Sequence, residues 1–339
     1  MTRFRTLVAA AAVAASAGAA TAQEFTLTIS SWAPPTHGIN ATQWPGFIEM
    51  MEEATDGRVT AEVKQGLAPP PAQMDLVLDG AADMALIFHG YQPGRFVTTK
   101  LIELPGYEGS AEAASVAYWR VWEEHLSEAR EHRGVKVIAL HTHGPAHLYS
   151  GEKVTELSQI DGMKLRVPGG VGGDVGEALG AVGIQVPAPK VYETLASKAA
   201  DGVVMPFESR KGFRLYEVAP YAYEMPGGLY RGSFAYIMNL DTWEGLPEDV
   251  RAALEENVFG EPASRMLGAA WDAMDAEGRE ITLATEGNEI VQASAEDVAA
   301  YAPIRDRIIA EVLAEIDAVG VDAEAAHAMV KAEMAAVEE

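Results

Sequence analysis

The stretch 162–206, GMKLRVPGGVGGDVGEALGAVGIQVPAPKVYETLASKAADGVVMP, decides the fold. GMKLRVP alternates like a strand, GGDVGEALGAVG spreads its apolar residues like a helix, IQVPAP is extended, KVYETLASKAAD is helical, and GVVMP is a short apolar strand. Strand, helix, strand, helix, strand is the grammar of a parallel sheet with crossover helices. Within it Lys164 and Arg166 stand two apart, the period that puts side chains on one strand face, and Pro168-Gly169-Gly170 follows at once.

The same grammar appears upstream. FTLTISSW reads as a strand broken by PPTHG, and ATQWPGFIEMMEEATDG as a helix whose apolar face is Trp44, Phe47, Ile48 and Met51. RVTAEVKQG is a second strand, PAQMDLVLDGAAD a helix, MALIF a buried strand and GVKVIALHTH another strand. Both halves contain a helix that ends in Ala-Ala-Asp, at 81–83 and 199–201, and runs into a short apolar strand. Two similar α/β lobes are expected, with no low-complexity linker between them. The last 100 residues read as helical, with Ser294 ahead of Glu296 and Asp297 as an N-cap. The run around 255–280, interrupted at Gly260-Glu261-Pro262, is long enough to lie across both lobes.

The chain opens MTRFRTLVAAAAVAASAGAATAQE, with Arg3 and Arg5, an apolar run and an A-x-A site. This is the form of a cleaved secretory signal peptide, 1–22, and export to the periplasm is expected. Removing it leaves 317 residues, and the two arginines that go with it take the net charge from −25 to −27. Such a charge disfavours nucleic acid and anionic membrane as partners, and most of the acids lie on helical, solvated faces. No cysteine is present, so disulfides and thiolate metal sites are ruled out. A basic cluster in so acidic a chain is a local feature that asks for an anion.

Arg166 stands near the carboxyl end of its strand, where open α/β sheets bind ligands. Its planar guanidinium matches a carboxylate. The glycine pair behind it could leave helix N–H groups free as an anion cradle. A salt bridge at the surface or between the lobes is the alternative, and Lys164 reads as a solvated strand residue. Trp32 and His37 follow the first strand, His89 and Tyr91 follow MALIF, and Met205, Phe207 and Glu208 follow GVVMP, all at carboxyl ends of strands. Each could wall a pocket or pack in the core. Glu208 could accept a ligand hydroxyl, pair with Arg166, or be exposed. In HTHGPAH, His141, His143 and His147 could hold a metal, hydrogen-bond in a pocket or be structural, but the Asp of an H-x-H-x-D-H hydrolase is missing. No nucleophile elbow, phosphate loop, dinucleotide fingerprint or H-E-x-x-H is present.

LSQIDGMKLRVPGG through ALGAVGIQVPAPKVYETLASKAADGVVMP resembles the substrate-binding proteins of TRAP transporters, the DctP type. So do GLAPPPAQMDLVLDGAADMAL, YQPGRFVTTKLIELPG, FAYIMNLDTWEGLPEDVRAALEE and the A-W-x-x-M-D helix, which together span the mature chain in order. The resemblance implies a two-lobed periplasmic-binding-protein fold with discontinuous lobes, a hinge cleft and a long C-terminal helix spanning both. Lobe I is expected at 23–142 with 234–270, lobe II at 143–233 with 271–330, and a tail at 331–339. It implies a receptor rather than an enzyme, needing no cofactor, that closes on a small organic acid and delivers it to a sodium-coupled TRAP permease.

The family's ligand-binding arginine falls on Arg166, in the K-x-R-V-P stretch. Met205 replaces the usual Asn, and HTHGPAH stands where many members have a second arginine. One carboxylate on a neutral polar, apolar or aromatic body is therefore expected over a doubly charged ligand, with the three histidines supplying hydrogen bonds and pH sensitivity. An exported histidine-site metal protein or metallohydrolase is the rival reading. Monomer and dimer are both compatible with the long C-terminal helices.

Overall fold

The structure is a computed structural model that describes residues 24–338; the expected signal peptide lies outside them. Eleven strands form two sheets: β1 (Phe25–Ser31), β2 (Val59–Gln65), β3 (Met84–Phe88), β4 (Val135–Thr142), β5 (His147–Ser150), β6 (Lys164–Val167), β7 (Val182–Gln185), β8 (Gly202–Met205), β9 (Tyr221–Glu224), β10 (Ser233–Asn239) and β11 (Glu289–Gln292). One sheet runs β2-β1-β3-β10-β4 and the other β11-β9-β5-β8-β6-β7. Strand order along the chain therefore switches sheets three times, at 143–146, at 225–232 and through the helices after β10.

The expected β6-helix-β7-helix-β8 unit is present, with β6 parallel to both β7 and β8 and helices Val171–Ala178 and Val191–Ala196 between them. The upstream unit also forms, with β1 parallel to β2 from Phe25↔Val59 to Ser31↔Gln65 and parallel to β3. Neither sheet is purely parallel, because β10 inserts antiparallel between β3 and β4, and β5 lies antiparallel to β8 and β9. All seven residues of β10 are buried, so no two-residue alternation marks the strand in the sequence.

Helix Trp44–Ala54 has Pro45 in its first turn, where the missing N–H costs nothing, and buries Trp44, Phe47 and Met51, while Ile48 is half-buried. Trp44 stacks on Tyr236 of β10 with ring centroids 3.8 Å apart, a contact that adds about 0.5–1.5 kcal/mol beyond area burial. The long helix runs Glu261–Ala284, following a separate helix Glu248–Asn257. Its Asp272 accepts from Ala111 and Glu112 N–H at the start of helix Ala111–Val121, beside the first sheet, while Asp275 accepts from Glu208 N–H beside the second. One rod is thus tied to both halves. Helix Ala295–Ala318 begins in a capping box of Ser294 and Asp297, and 331–338 continue the helix Ala323–Glu338, which docks on Ala111–Val121.

Candidate ligand-binding site

Strand directions explain why distant residues converge. In the first sheet β1, β3 and β4 end on the edge where β10 begins, so Trp32, Tyr91, His143 and Phe234 share that edge. In the second, β6, β7 and β8 end together, carrying Arg166 and Pro168, Ala188, and Met205 with Pro206. The two edges enclose a small cavity, about 390 Å³ of empty space when the open solvent at its mouth is counted. Trp32, Phe88, Tyr91, Phe213, Phe234 and Trp271 give it aromatic walls.

Arg166 is only 1% exposed and lines this cavity. Its Nε donates to Val186 O (2.9 Å) and Nη2 to the Tyr91 hydroxyl (3.3 Å), which also accepts from Ala188 N–H (2.8 Å). No acid pairs with Arg166 among the described residues. A buried guanidinium without a counter-charge is costly. Lys164, at the other end of the strand, is exposed.

The glycine pair behaves differently from the expectation. Gly169 and Gly170 have φ of +92° and +58°, and side chains there would strike Gly90 O and the Glu103 carboxyl. The Val171 N–H at the helix start is occupied, donating to Glu103 Oε2 (3.0 Å). The cradle holds the chain's own carboxyl, reaching from helix Lys100–Glu103. Glu103 also accepts from Ser233 Oγ (2.6 Å), and burial pushes its pKa up to about 7.

Opposite chemistry is gathered elsewhere on the cavity wall. His37 Nδ1 accepts from Ile39 N–H (3.2 Å), which places the ring proton on Nε2, 3.0 Å from Glu208 Oε2. The approach is close but not aligned as a hydrogen bond, and both buried atoms lack a well-formed partner. Asp275 sits behind them. Burial and then the nearby charge of Glu208 hold its carboxyl well above the usual range, while the hydrogen bond from Glu208 N–H works the other way.

The histidines of HTHGPAH do not gather. His141 accepts from Trp271 Nε1 (2.9 Å) and stacks on Phe234. His143 donates from Nδ1 to Gly144 O (2.6 Å); the longer 3.4 Å approach of Gly232 N–H to the same nitrogen is subordinate to that bond. His147, on the other sheet, packs against Phe207. Among the described residues no group of three or more His, Cys, Asp or Glu is placed to hold a metal. The expected pH sensitivity is corrected as well: burial pushes the pKa of His141 and His143 down to about 3 and that of His147 to about 4, so all three stay neutral near pH 7.

Of the residues singled out from the sequence, Trp32, His37, Tyr91, His143, Arg166, Met205 and Glu208 line the one cavity. His89, His147 and Phe207 lie off it. His89 is bonded to Ser233 Oγ and His132, and Phe207 packs on His147 and Tyr149. Phe88, Phe213, Tyr230, Phe234 and Trp271 were not anticipated. Trp271 lay in the recognisable A-W-x-x-M-D helix, which was the one signal available for it.

A family model described as DctP, bacterial extracellular solute-binding protein, family 7, matches residues 31–315. The chain belongs to this family. Family 7 members are solute-binding receptors rather than enzymes, as the sequence implied, and the two-lobed α/β architecture is theirs. A TRAP periplasmic solute-binding protein from Bordetella bronchiseptica with bound (R)- and (S)-mandelate is 35% identical, with a TM-score of 0.89 over 92% of this chain and 99% of that one. A TRAP solute-binding protein from Rhodoferax ferrireducens in complex with copurified benzoate is 26% identical, with a TM-score of 0.85 over 91% and 97%. A marine metagenome TRAP protein from an unidentified microbe, specific for aromatic acid ligands and in complex with metahydroxyphenylacetate, is 26% identical, with a TM-score of 0.86 over 93% and 100%.

Proposed function

We propose that this family 7 receptor binds a small aromatic monocarboxylate between its two halves, with Arg166 clamping the carboxylate, and hands it to a sodium-coupled TRAP membrane permease. Export to the periplasm through the segment 1–22 is part of the reading. The observation that carries it is a guanidinium that is buried, fixed by Val186 O and Tyr91, free of any acid among the described residues, and set in an aromatic-walled cavity. A planar ring fills such walls by area burial, worth about 25 cal/mol per Å². The neighbours that hold mandelate, benzoate and metahydroxyphenylacetate support the same class. A second ligand carboxylate would meet Glu208, a like charge, which disfavours diacids.

Titration calorimetry with benzoate, mandelate, succinate and malate tests the reading. An aromatic acid is expected to bind near micromolar, about −8 kcal/mol, and the diacids more weakly. Arg166→Ala is expected to weaken the aromatic acid at least about 100-fold, near 3 kcal/mol, with the melting curve retained. Arg166→Lys also weakens it, because an ammonium cannot reproduce the two-pronged contact. Tighter binding of a diacid than of any aromatic acid, or an Arg166→Ala protein of unchanged affinity, defeats it.

A further inference from the structure

The cavity is chemically two-sided. On one side the polar groups donate: Arg166 has no acid partner among the described residues, and the Tyr91 oxygen accepts twice, from Ala188 N–H and from Arg166, so its own proton remains to be given. On another part of the wall the polar group accepts. Glu208 is 4% exposed, lines the cavity, and receives no well-formed side-chain hydrogen bond; His37, wholly buried, points its Nε2 at one oxygen from 3.0 Å without good alignment. Burying a carboxylate in that condition is expensive unless a donor completes its shell.

We propose that Glu208, oriented by His37, accepts a hydrogen bond from a hydroxyl on the ligand, so that the cavity selects hydroxyl-bearing aromatic acids over the unsubstituted acid. The inference rests on the reading that Arg166 takes the carboxylate, and adds to it a second polar point that fixes the ligand's orientation. Three features hold Glu208 in this role. Its backbone N–H is anchored by Asp275 Oδ1 at 2.7 Å, at the first turn of helix Glu208–Gly212. Asp275, whose carboxyl burial holds well above the usual range, sits behind that first turn on the long helix. Gly212 makes room for both side chains, since a Cβ there would lie 2.7 Å from His37 Cδ2 and 2.8 Å from Glu208 Oε2. The remaining walls near it, Phe213, Trp271 and Met205, offer a hydroxyl no competing carboxylate.

The test is a calorimetric comparison of benzoate, 3- and 4-hydroxybenzoate, the matching fluorobenzoates and mandelate. A fluorine is close in size to a hydroxyl but carries no proton. The unmodified protein is expected to bind at least one hydroxy acid about tenfold tighter than both benzoate and the matching fluoro acid, the size of one charge-assisted hydrogen bond. In Glu208→Gln, shown folded by its melting curve, that ratio is expected to fall to within about threefold, through weaker hydroxy-acid binding. Equal binding of hydroxy and fluoro acids by the unmodified protein overturns the inference without needing a variant. A tenfold preference that persists in Glu208→Gln overturns it too, and leaves the Arg166 reading standing if Arg166→Ala still abolishes benzoate binding. Loss of every aromatic acid from the panel, or benzoate binding that survives Arg166→Ala, overturns both.

Discussion

Arg166 and Arg210 are the same side chain at almost the same burial, 1% and 0% exposed, in two different settings. Arg210 spends its guanidinium on the protein: Nε donates to Thr282 Oγ1 (3.0 Å), and the terminal nitrogens reach Ala219 O and the Asn288 side chain, with its charge over the Tyr149 ring. Arg166 makes two bonds and opens on a cavity. One arginine closes a polar network behind the second sheet, while the other is held ready by partners that fix its direction without neutralising it. Burial alone does not separate an arginine spent on the protein from one left open to a cavity; the inventory of acceptors does.

The largest expected effect comes from breaking the closed network. Arg210→Ala strands several buried acceptors and is expected to cost about 4 kcal/mol in urea unfolding or to prevent folding, with ligand affinity unchanged in whatever folds. A mild stability loss accompanied by lost binding would reverse the assignment of the two arginines.

Next is Glu103, the chain's own carboxyl at the Val171 helix start. Its folded pKa, raised by burial to about 7 from the ordinary 4.5, means the folded state holds the proton more tightly. The stabilisation belonging to the protonated form is complete below pH 4.5 and is lost as pH climbs toward 7, by up to about 1.4 kcal/mol per unit. Glu103→Gln removes this slope, so between pH 5 and pH 8 the variant is expected to gain about 2 kcal/mol relative to the unmodified protein in urea unfolding. Parallel pH profiles would show that the carboxyl titrates normally.

The smallest effect sharpens the open site. Tyr91→Phe removes the acceptor that steers Arg166 Nη2 and is expected to weaken the aromatic acid about fivefold, near 1 kcal/mol, with a modest fall in melting temperature because the Ala188 N–H loses its partner too. A change below twofold would mean that Val186 O alone orients the guanidinium.

The legible parts of the molecule were those with local grammar. The β6–β8 unit carries its period changes within 45 residues, and Arg166 announced itself as a base beside glycines in an acidic chain. Strand β10 stayed silent because every one of its residues is buried, and with it went the antiparallel insertion that brings Phe234 to the cavity. Glu208 was marked as a possible hydroxyl acceptor, but its pairing with His37, 171 positions away, depends on which sheet edges face each other. The glycine-flanked helix start did look like an anion site. Glu103, an inconspicuous acid in a short helix, fills it.

The rod Glu261–Ala284 is fastened near its middle by Asp272 to one half of the molecule and by Asp275, one turn on, to the other. Any swing between empty and filled shapes must therefore flex an unbroken ladder of backbone hydrogen bonds, which yields by small tilts shared over many residues. The stroke is set by the stiffness of a strut rather than by slack in a tether, so a proline placed between those anchors would loosen the jaw without touching its teeth.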